Sequence, residues 1–84
     1  MYDYNKQKSE IFKPENQTTF LKVRDYVGEL LNNSGAFKMS STFKNQTGDV
    51  WTMIAYIDRL VEIGEIREIP QNNVAGQDRI FVRN

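Results

Sequence analysis

The chain has 84 residues, no cysteine and no histidine, and its 11 Lys and Arg balance its 11 Asp and Glu. This length fits one domain with a thin core, because so short a chain buries only about 60–65% of its unfolded surface. Without Cys and His it lacks disulfides, the usual general base and the commonest transition-metal ligand. We therefore expect no enzyme activity, no catalytic residues, no metal site and no cofactor.

The localisation prediction rests on what the sequence lacks. No window approaches the roughly 20 apolar residues of a membrane span. The polar N-terminus also lacks the apolar segment of a secretory signal. We expect a cytoplasmic protein that makes no membrane contact.

Residues 1–14 show no sustained hydrophobic period and predict a partly ordered N-terminal arm, followed by one domain over residues 15–84. Pro14 disfavours helical backbone at Lys13 and suits the first turn of a helix. The apolar side chains of the arm would either cover the thin core or exchange with a second subunit. They are Tyr2, Tyr4, Ile11 and Phe12.

A first helix is predicted over residues 16–31, where apolar side chains recur at steps of three and four. These are Phe20, Val23, Val27, Leu30 and Leu31. Residues 32–35 form a stop signal that ends in Gly35. A short strand over residues 36–39 and a short helix over residues 42–46 follow, the latter held by Phe43.

The strongest helical pattern covers residues 49–63, and Gly64 stands where a left-handed C-terminal glycine belongs. One stripe of this helix is apolar and predicts its core face. The stripe consists of Val50, Met53, Ile54, Ile57, Leu60 and Val61. The opposite face presents Thr52, Ala55 and Arg59, with Trp51 and Tyr56 on its two flanks.

After Gly64 the pattern changes to two short segments of strand type, residues 65–69 and 79–83, around a turn-rich loop. In the second, Ile80 and Val82 share one face. The whole order resembles the winged helix-turn-helix family over residues 16–83. The residues that carry the resemblance are Val50-x-x-x-Ile54-x-x-Ile57-x-x-Leu60-Val61-x-x-Gly64-x-Ile66 and Gly76-Gln77-Asp78-Arg79-Ile80.

The resemblance implies an α+β winged helix with three helices, a short first strand and a C-terminal β-hairpin wing. It also implies a small regulator of transcription that reads double-stranded DNA with the third helix and the wing. Thr52 and Ala55 would touch base edges, while Arg59 and Arg79 would bind guanine, the minor groove or phosphate. The full predicted DNA-contact set is Lys38, Lys44, Thr47, Trp51, Thr52, Ala55, Arg59 and Arg79.

The alternative is a winged-helix adaptor or inhibitor that binds protein and not DNA. It is favoured by the zero net charge and by the absence of Lys and Arg between Thr47 and Asp58. Trp51, Ala55 and Tyr56 would then form the contact, because aromatic side chains dominate interface energetics. If DNA is the ligand, so few phosphate contacts imply weak binding by a monomer and favour a homodimer or a larger complex.

Overall fold

The computed structural model describes residues 2–11, 13–43, 50–71 and 78–84, apart from the side chain of Glu10. Within these ranges the chain is an α+β fold with four α-helices and a three-stranded antiparallel sheet. The helices are α1 (Tyr4–Ile11), α2 (Gln17–Ser34), α3 (Met39–Thr42) and α4 (Val50–Glu62), with a 3-10 turn at Pro14–Asn16. The strands are β1 (Ala36–Lys38), β2 (Ile66–Ile69) and β3 (Ile80–Arg83).

A glycine follows the C-terminal end of each of the two long helices. Gly35 follows α2 with φ 76°, and Gly64 follows α4 with φ 82°. Side chains with a Cβ rarely adopt this left-handed backbone, so both glycines end their helices as predicted. Helix α2 nevertheless continues through Ser34, past its predicted end at residue 31. The short helix α3 begins at Met39, three residues earlier than predicted, and its side chains Met39 and Thr42 are both buried. The rest of the predicted helix, residues 44–46, lies outside the described residues.

Strand β3 is the centre of the sheet, whose order is β1-β3-β2. Phe81 pairs with Phe37 of β1 on one side and with Glu68 of β2 on the other. The rings of Phe37 and Phe81 stack with their centroids 5.3 Å apart. The core side of β3 is therefore the Phe81 side, while Ile80 and Val82 are only half-buried.

Helix α4 is buried over more of its circumference than the sequence predicts. Met53, Ile57 and Leu60 lie in the core as expected. Tyr56 is also buried, with its ring 5.9 Å from that of Phe20 on α2, whereas Val50 is exposed. The core face of α4 is thus rotated towards Tyr56 relative to the predicted stripe.

The N-terminal segment, predicted as a partly ordered arm, forms the helix α1 and packs across α4. Ile11, at the end of α1, is only 3% exposed and belongs to the same core as α2 and α4. Helix α4 is therefore covered from two sides. In the described part of the chain, no helix has the length and hydropathy needed to cross a lipid bilayer.

Candidate functional site

The outward face of α4 is the predicted contact surface, and α1 covers part of it. Ala55, Asp58 and Glu62 follow one another at steps of three and four, so they share one face of the helix. Asp58 and Glu62 bind side chains of the N-terminal segment, and Ala55 is 0% exposed. The prediction that Ala55 contacts a ligand from an open face is corrected, because its methyl group is sealed inside the chain.

Two polar contacts tie the N-terminal segment to this face. The hydroxyl of Tyr2 donates a hydrogen bond of 2.6 Å to Asp58. The ammonium group of Lys8 lies 3.0 Å from a carboxylate oxygen of Glu62 and 5.7 Å from the centre of the Tyr4 ring. The charge of Lys8 is thus shared between an acid on α4 and an aromatic ring on α1.

The electrostatics of this contact keep the phenols protonated. Burial, together with the negative charge of Glu62, raises the pKa of Tyr4 to about 12. Burial and the hydrogen bond to Asp58 raise the pKa of Tyr2 even further. The hydrogen bond from Lys8 lowers the pKa of Glu62. At neutral pH the contact therefore consists of protonated phenols and a cation facing carboxylates.

Arg79, one residue before β3, is occupied within the chain. Its guanidinium group binds Glu68 of β2 and Asp58 of α4, each at 2.8 Å, and lies 5.2 Å from the Phe81 ring centre. The hydrogen bond to Glu68 is the main cause that raises the pKa of Arg79, and the bond to Asp58 adds to it. For Arg79 to contact DNA as predicted, at least one of these carboxylates would have to be released.

The other predicted DNA-contact residues differ in how exposed their side chains are. Arg59 forms an ion pair of 2.7 Å with Glu62. Thr52 is half-buried, and Lys38 is exposed on β1. Lys44 and Thr47 lie outside the described residues. The described members of the set therefore provide one exposed lysine and two arginines that are paired with carboxylates.

Trp51 is the most exposed aromatic side chain in the described residues, with 43% of its surface accessible. It lies in the first turn of α4 beside Val50, which is also exposed. Tyr56, predicted with it as a partner contact, is 2% exposed and packs on α2, so that prediction is corrected. Within α4, the exposed large apolar side chains are therefore those of its N-terminal end, Val50 and Trp51.

The partners that α1 finds on α4 are the functional contacts that sequence reasoning missed. Tyr4, Lys8 and Ile11 follow the spacing i, i+4, i+7, which places them on one helical face. That spacing is a usable signal, but a lysine in the middle hides it from a search for apolar stripes. In the sequence, Asp58 and Glu62 are typical of a solvated helix face, because their partners in the N-terminal segment, Tyr2 and Lys8, lie about 55 positions away.

Comparisons with protein-family models, with curated proteins and with solved structures give no match. Among the described residues, no group of three or more acidic, His or Cys side chains is placed to hold a metal ion. The surface of α4 and the paired charges around it are the features of the described residues that bear on function.

Proposed function

We propose that this chain is a winged-helix domain that binds another protein through the N-terminal end of α4. The order of elements supports this fold: a helix, a short strand, a short helix, a long helix and a hairpin. The sheet order β1-β3-β2 also supports it, because the first strand pairs with the last strand of the hairpin. The positive φ of Gly64 provides the turn from α4 into the hairpin.

The arginines on and beside α4 are paired with acids of the same chain, and this pairing favours a protein partner over DNA. Arg59 is bound to Glu62, and Arg79 is bound to both Asp58 and Glu68. Binding to DNA depends on lysines and arginines that neutralise phosphates and release counterions. A surface whose arginines are already neutralised gains little of that stabilisation, and the whole chain adds no net positive charge.

Trp51 is the anchor of the proposed interface. A tryptophan with 43% of its surface accessible contributes a sizeable apolar area when a partner covers it. Interface hot spots are enriched in tryptophan, and truncation of one typically costs about 2 kcal/mol or more of binding free energy. Val50 beside it extends the apolar surface by one side chain.

The test uses the chain as bait in high salt after nuclease treatment, and compares Trp51→Ala with Leu21→Ala. Leu21 is a matched control, because it is exposed to the same degree, 42% against 43%, but lies on α2. The proposal expects a partner that binds the wild-type and Leu21→Ala chains and does not bind Trp51→Ala. Because Trp51 is the single tryptophan, its fluorescence should shift to shorter wavelength when the purified partner is added.

DNA binding is the second candidate, and the exposed Lys38 at the edge of the sheet favours it. A titration with random-sequence duplex at low salt separates the two functions. Our proposal expects no binding below about 1 µM, which is the tight end of typical non-specific affinities at physiological salt. Tight binding with a steep dependence on salt, unchanged in Trp51→Ala, would assign DNA binding and reject the protein interface.

A further inference from the structure

The three-stranded sheet has a core face and an outer face. The core face carries Phe37, Ile66 and Phe81, one buried side chain from each strand. Because side chains alternate along a strand, the intervening residues point away from the core. We call these residues the outer sheet face. They are Ala36, Lys38, Arg67, Ile69, Ile80 and Val82.

The strand register arranges the outer sheet face in two rows, each of which crosses β1, β3 and β2 in turn. The first row is Lys38, Ile80 and Ile69, and the second is Ala36, Val82 and Arg67. Lys38 and Arg67 therefore stand at diagonally opposite corners, with Ile80 and Val82 between them. From the usual spacing of strands and residues in a sheet, the diagonal between the two Cα atoms measures about 12 Å.

The apolar side chains of this face depart from the pattern of a solvated sheet. When one face of an antiparallel sheet meets water, its outward positions are typically polar. Here Ile69, Ile80 and Val82 point outward and are half-buried. Among the described residues, they do not belong to the side chains that form the core or pack against it. A partner that covers them would remove the rest of their apolar surface from water.

The charge of the outer sheet face is positive. The side chains of Lys38 and Arg67 are exposed, and neither forms a hydrogen bond or an ion pair within the part of the chain that the structure describes. Glu68 follows Arg67 in the sequence but lies on the other face, where it binds Arg79. Asp78 lies before the start of β3. The face is therefore complementary to an acidic partner.

We propose that the outer sheet face is a docking site for an acidic amphipathic helix of a partner protein. This helix carries carboxylates at positions i and i+7 and apolar side chains at i+3 and i+4, which all share one helical face. Seven residues of a helix span about 10.5 Å, so the carboxylates reach the long side chains of Lys38 and Arg67. The apolar pair then covers Ile80 and Val82, and the two ion pairs fix the direction in which the helix crosses the strands.

A nucleic acid fits this face less well than such a helix. Phosphate binding grows with the number of cations that contact the backbone, and the outer sheet face offers two. Single strands also need aromatic side chains on which bases stack. The six residues of the face include no aromatic side chain. The apolar centre between two cations therefore favours the helix.

The experiment uses the full chain, labelled with 15N, and three alanine-rich peptides of about 18 residues, a length at which helices form in water. The acidic peptide has Glu at i and i+7 and Leu at i+3 and i+4. The basic peptide has Lys in place of both Glu, and the shifted peptide has both Glu moved by two positions, to the opposite side of the helix. We expect the acidic peptide alone to shift the amide signals of Ile80 and Val82 at about 1 mM or less.

Arg67→Gln and Arg83→Gln are a matched pair of variants. Each removes the charge of an exposed arginine of the sheet, but Arg83 lies on the core face, where it binds Asn32 of α2. Arg67→Gln should weaken binding of the acidic peptide about two- to fivefold, the value of an exposed ion pair, and Arg83→Gln should leave it unchanged. Lys38→Glu combined with Arg67→Glu should prefer the basic peptide about fivefold or more. Unchanged signals of Phe81 check that each variant folds.

Four results would overturn the proposal. One is no response to about 2 mM acidic peptide, and another is an equal response to all three peptides. The third is a shift of Ile80 and Val82 with protein concentration alone, which makes a second copy of the chain the occupant. The fourth is binding to single-stranded DNA or to phosphatidylserine vesicles that exceeds peptide binding and depends on Lys38 and Arg67, which assigns the face to phosphate groups.

The outer sheet face goes beyond the proposed Trp51 interface and does not depend on it. Trp51→Ala should bind the acidic peptide as the wild type does, because Trp51 lies on α4 and not in the sheet. If partner capture depends on Trp51 but no peptide binds, the proposed function stands and the sheet site is rejected. If the acidic peptide binds as expected but no partner is captured, the sheet site stands without the Trp51 interface.

Discussion

The hydroxyl of Tyr2 donates a hydrogen bond of 2.6 Å to Oδ2 of Asp58, which lies 56 positions further along the chain. The other oxygen of the same carboxylate accepts a hydrogen bond from Arg79 at 2.8 Å. Arg79 in turn binds Glu68 on β2. Asp58 therefore joins the N-terminal segment to α4 and, through Arg79, to both strands of the hairpin. A change at Tyr2 reaches the hairpin through two contacts.

The hydrogen bond of Tyr2 predicts the effect of Tyr2→Phe. The change removes a bond to a charged acceptor and leaves the ring in place, so we expect a loss of about 1–2 kcal/mol in the free energy of unfolding. Hydrogen exchange should accelerate in α1 before it does in α2, because the bond holds the start of the N-terminal segment against α4. Urea denaturation and amide exchange measure the two effects.

Tyr26→Phe is the matched control. It also removes a tyrosine hydrogen bond, that of 3.1 Å to the carbonyl oxygen of Ser41, a residue of α3 and not of α4. It should lower stability without a selective change in the exchange of α1. If both variants accelerate α1 to the same extent, the contact with Asp58 does not hold that helix.

The burial of Ala55 predicts that a larger side chain cannot fit there. Ala55→Leu should lower the free energy of unfolding by about 1–3 kcal/mol through overpacking, or should push α1 off α4. Val50→Leu enlarges an exposed side chain of the same helix and should change stability by less than about 0.5 kcal/mol. Urea denaturation and hydrogen exchange of the α1 amides distinguish the Ala55→Leu and Val50→Leu variants. Equal behaviour of the two variants would mean that the face of Ala55 is open.

The case of Ala55 shows why the sequence predicts α4 well and its outward face poorly. The ends of α4 follow from Gly64 and the apolar period, which are local signals. Whether the face of Ala55, Asp58 and Glu62 meets water or α1 depends on a segment that is distant in the sequence. A small residue flanked by charges gives the same pattern in both cases. The covered face could therefore not be inferred from the pattern of α4.

Arg79 shows that the sequence also predicts the surface charge incompletely. Its position before a predicted strand of the hairpin is readable from the sequence, and so is its sign. Its neutralisation depends on Glu68, across the hairpin, and on Asp58, on a helix. The alternation of Glu68 with the arginines of the predicted hairpin already favours cross-strand pairing, but nothing in the sequence indicates the contact with Asp58 on α4. The predicted basic surface is reduced by these pairings and not by a lack of basic residues.

The raised pKa values of the phenols predict loss of stability at alkaline pH. The pKa of a tyrosine in the unfolded chain is 10.0, while the pKa of Tyr4 in the folded chain is about 12. The folded chain therefore binds more protons in this range, so the free energy of unfolding is fully retained below about pH 10 and falls as the pH rises towards 12. Urea denaturation at a series of pH values measures the fall.

Tyr4→Phe tests the source of this alkaline effect. The variant lacks the phenol that must ionise, so its stability should decrease less between about pH 10 and pH 12 than that of wild type. Tyrosinate absorbance of the folded wild type gives the independent measure. If Tyr4 titrates near pH 10 in the folded chain, its ring is open to water and not packed on α4.

Two glycines at α2 predict opposite effects of the same substitution. Gly35 has φ 76° at the end of the helix, and a Cβ in this left-handed backbone costs about 1 kcal/mol, so Gly35→Ala should destabilise the chain by that amount. Gly28 lies inside the helix, where an added Cβ would meet no atom within 4 Å. Gly28→Ala should stabilise the chain by about 0.5–1 kcal/mol, since alanine favours the helix interior. Gly28 lies inside α2 and Gly35 lies just after it, so only Gly35 needs a left-handed backbone. Denaturation midpoints that shift in the same direction for both variants would contradict this position of the end of α2.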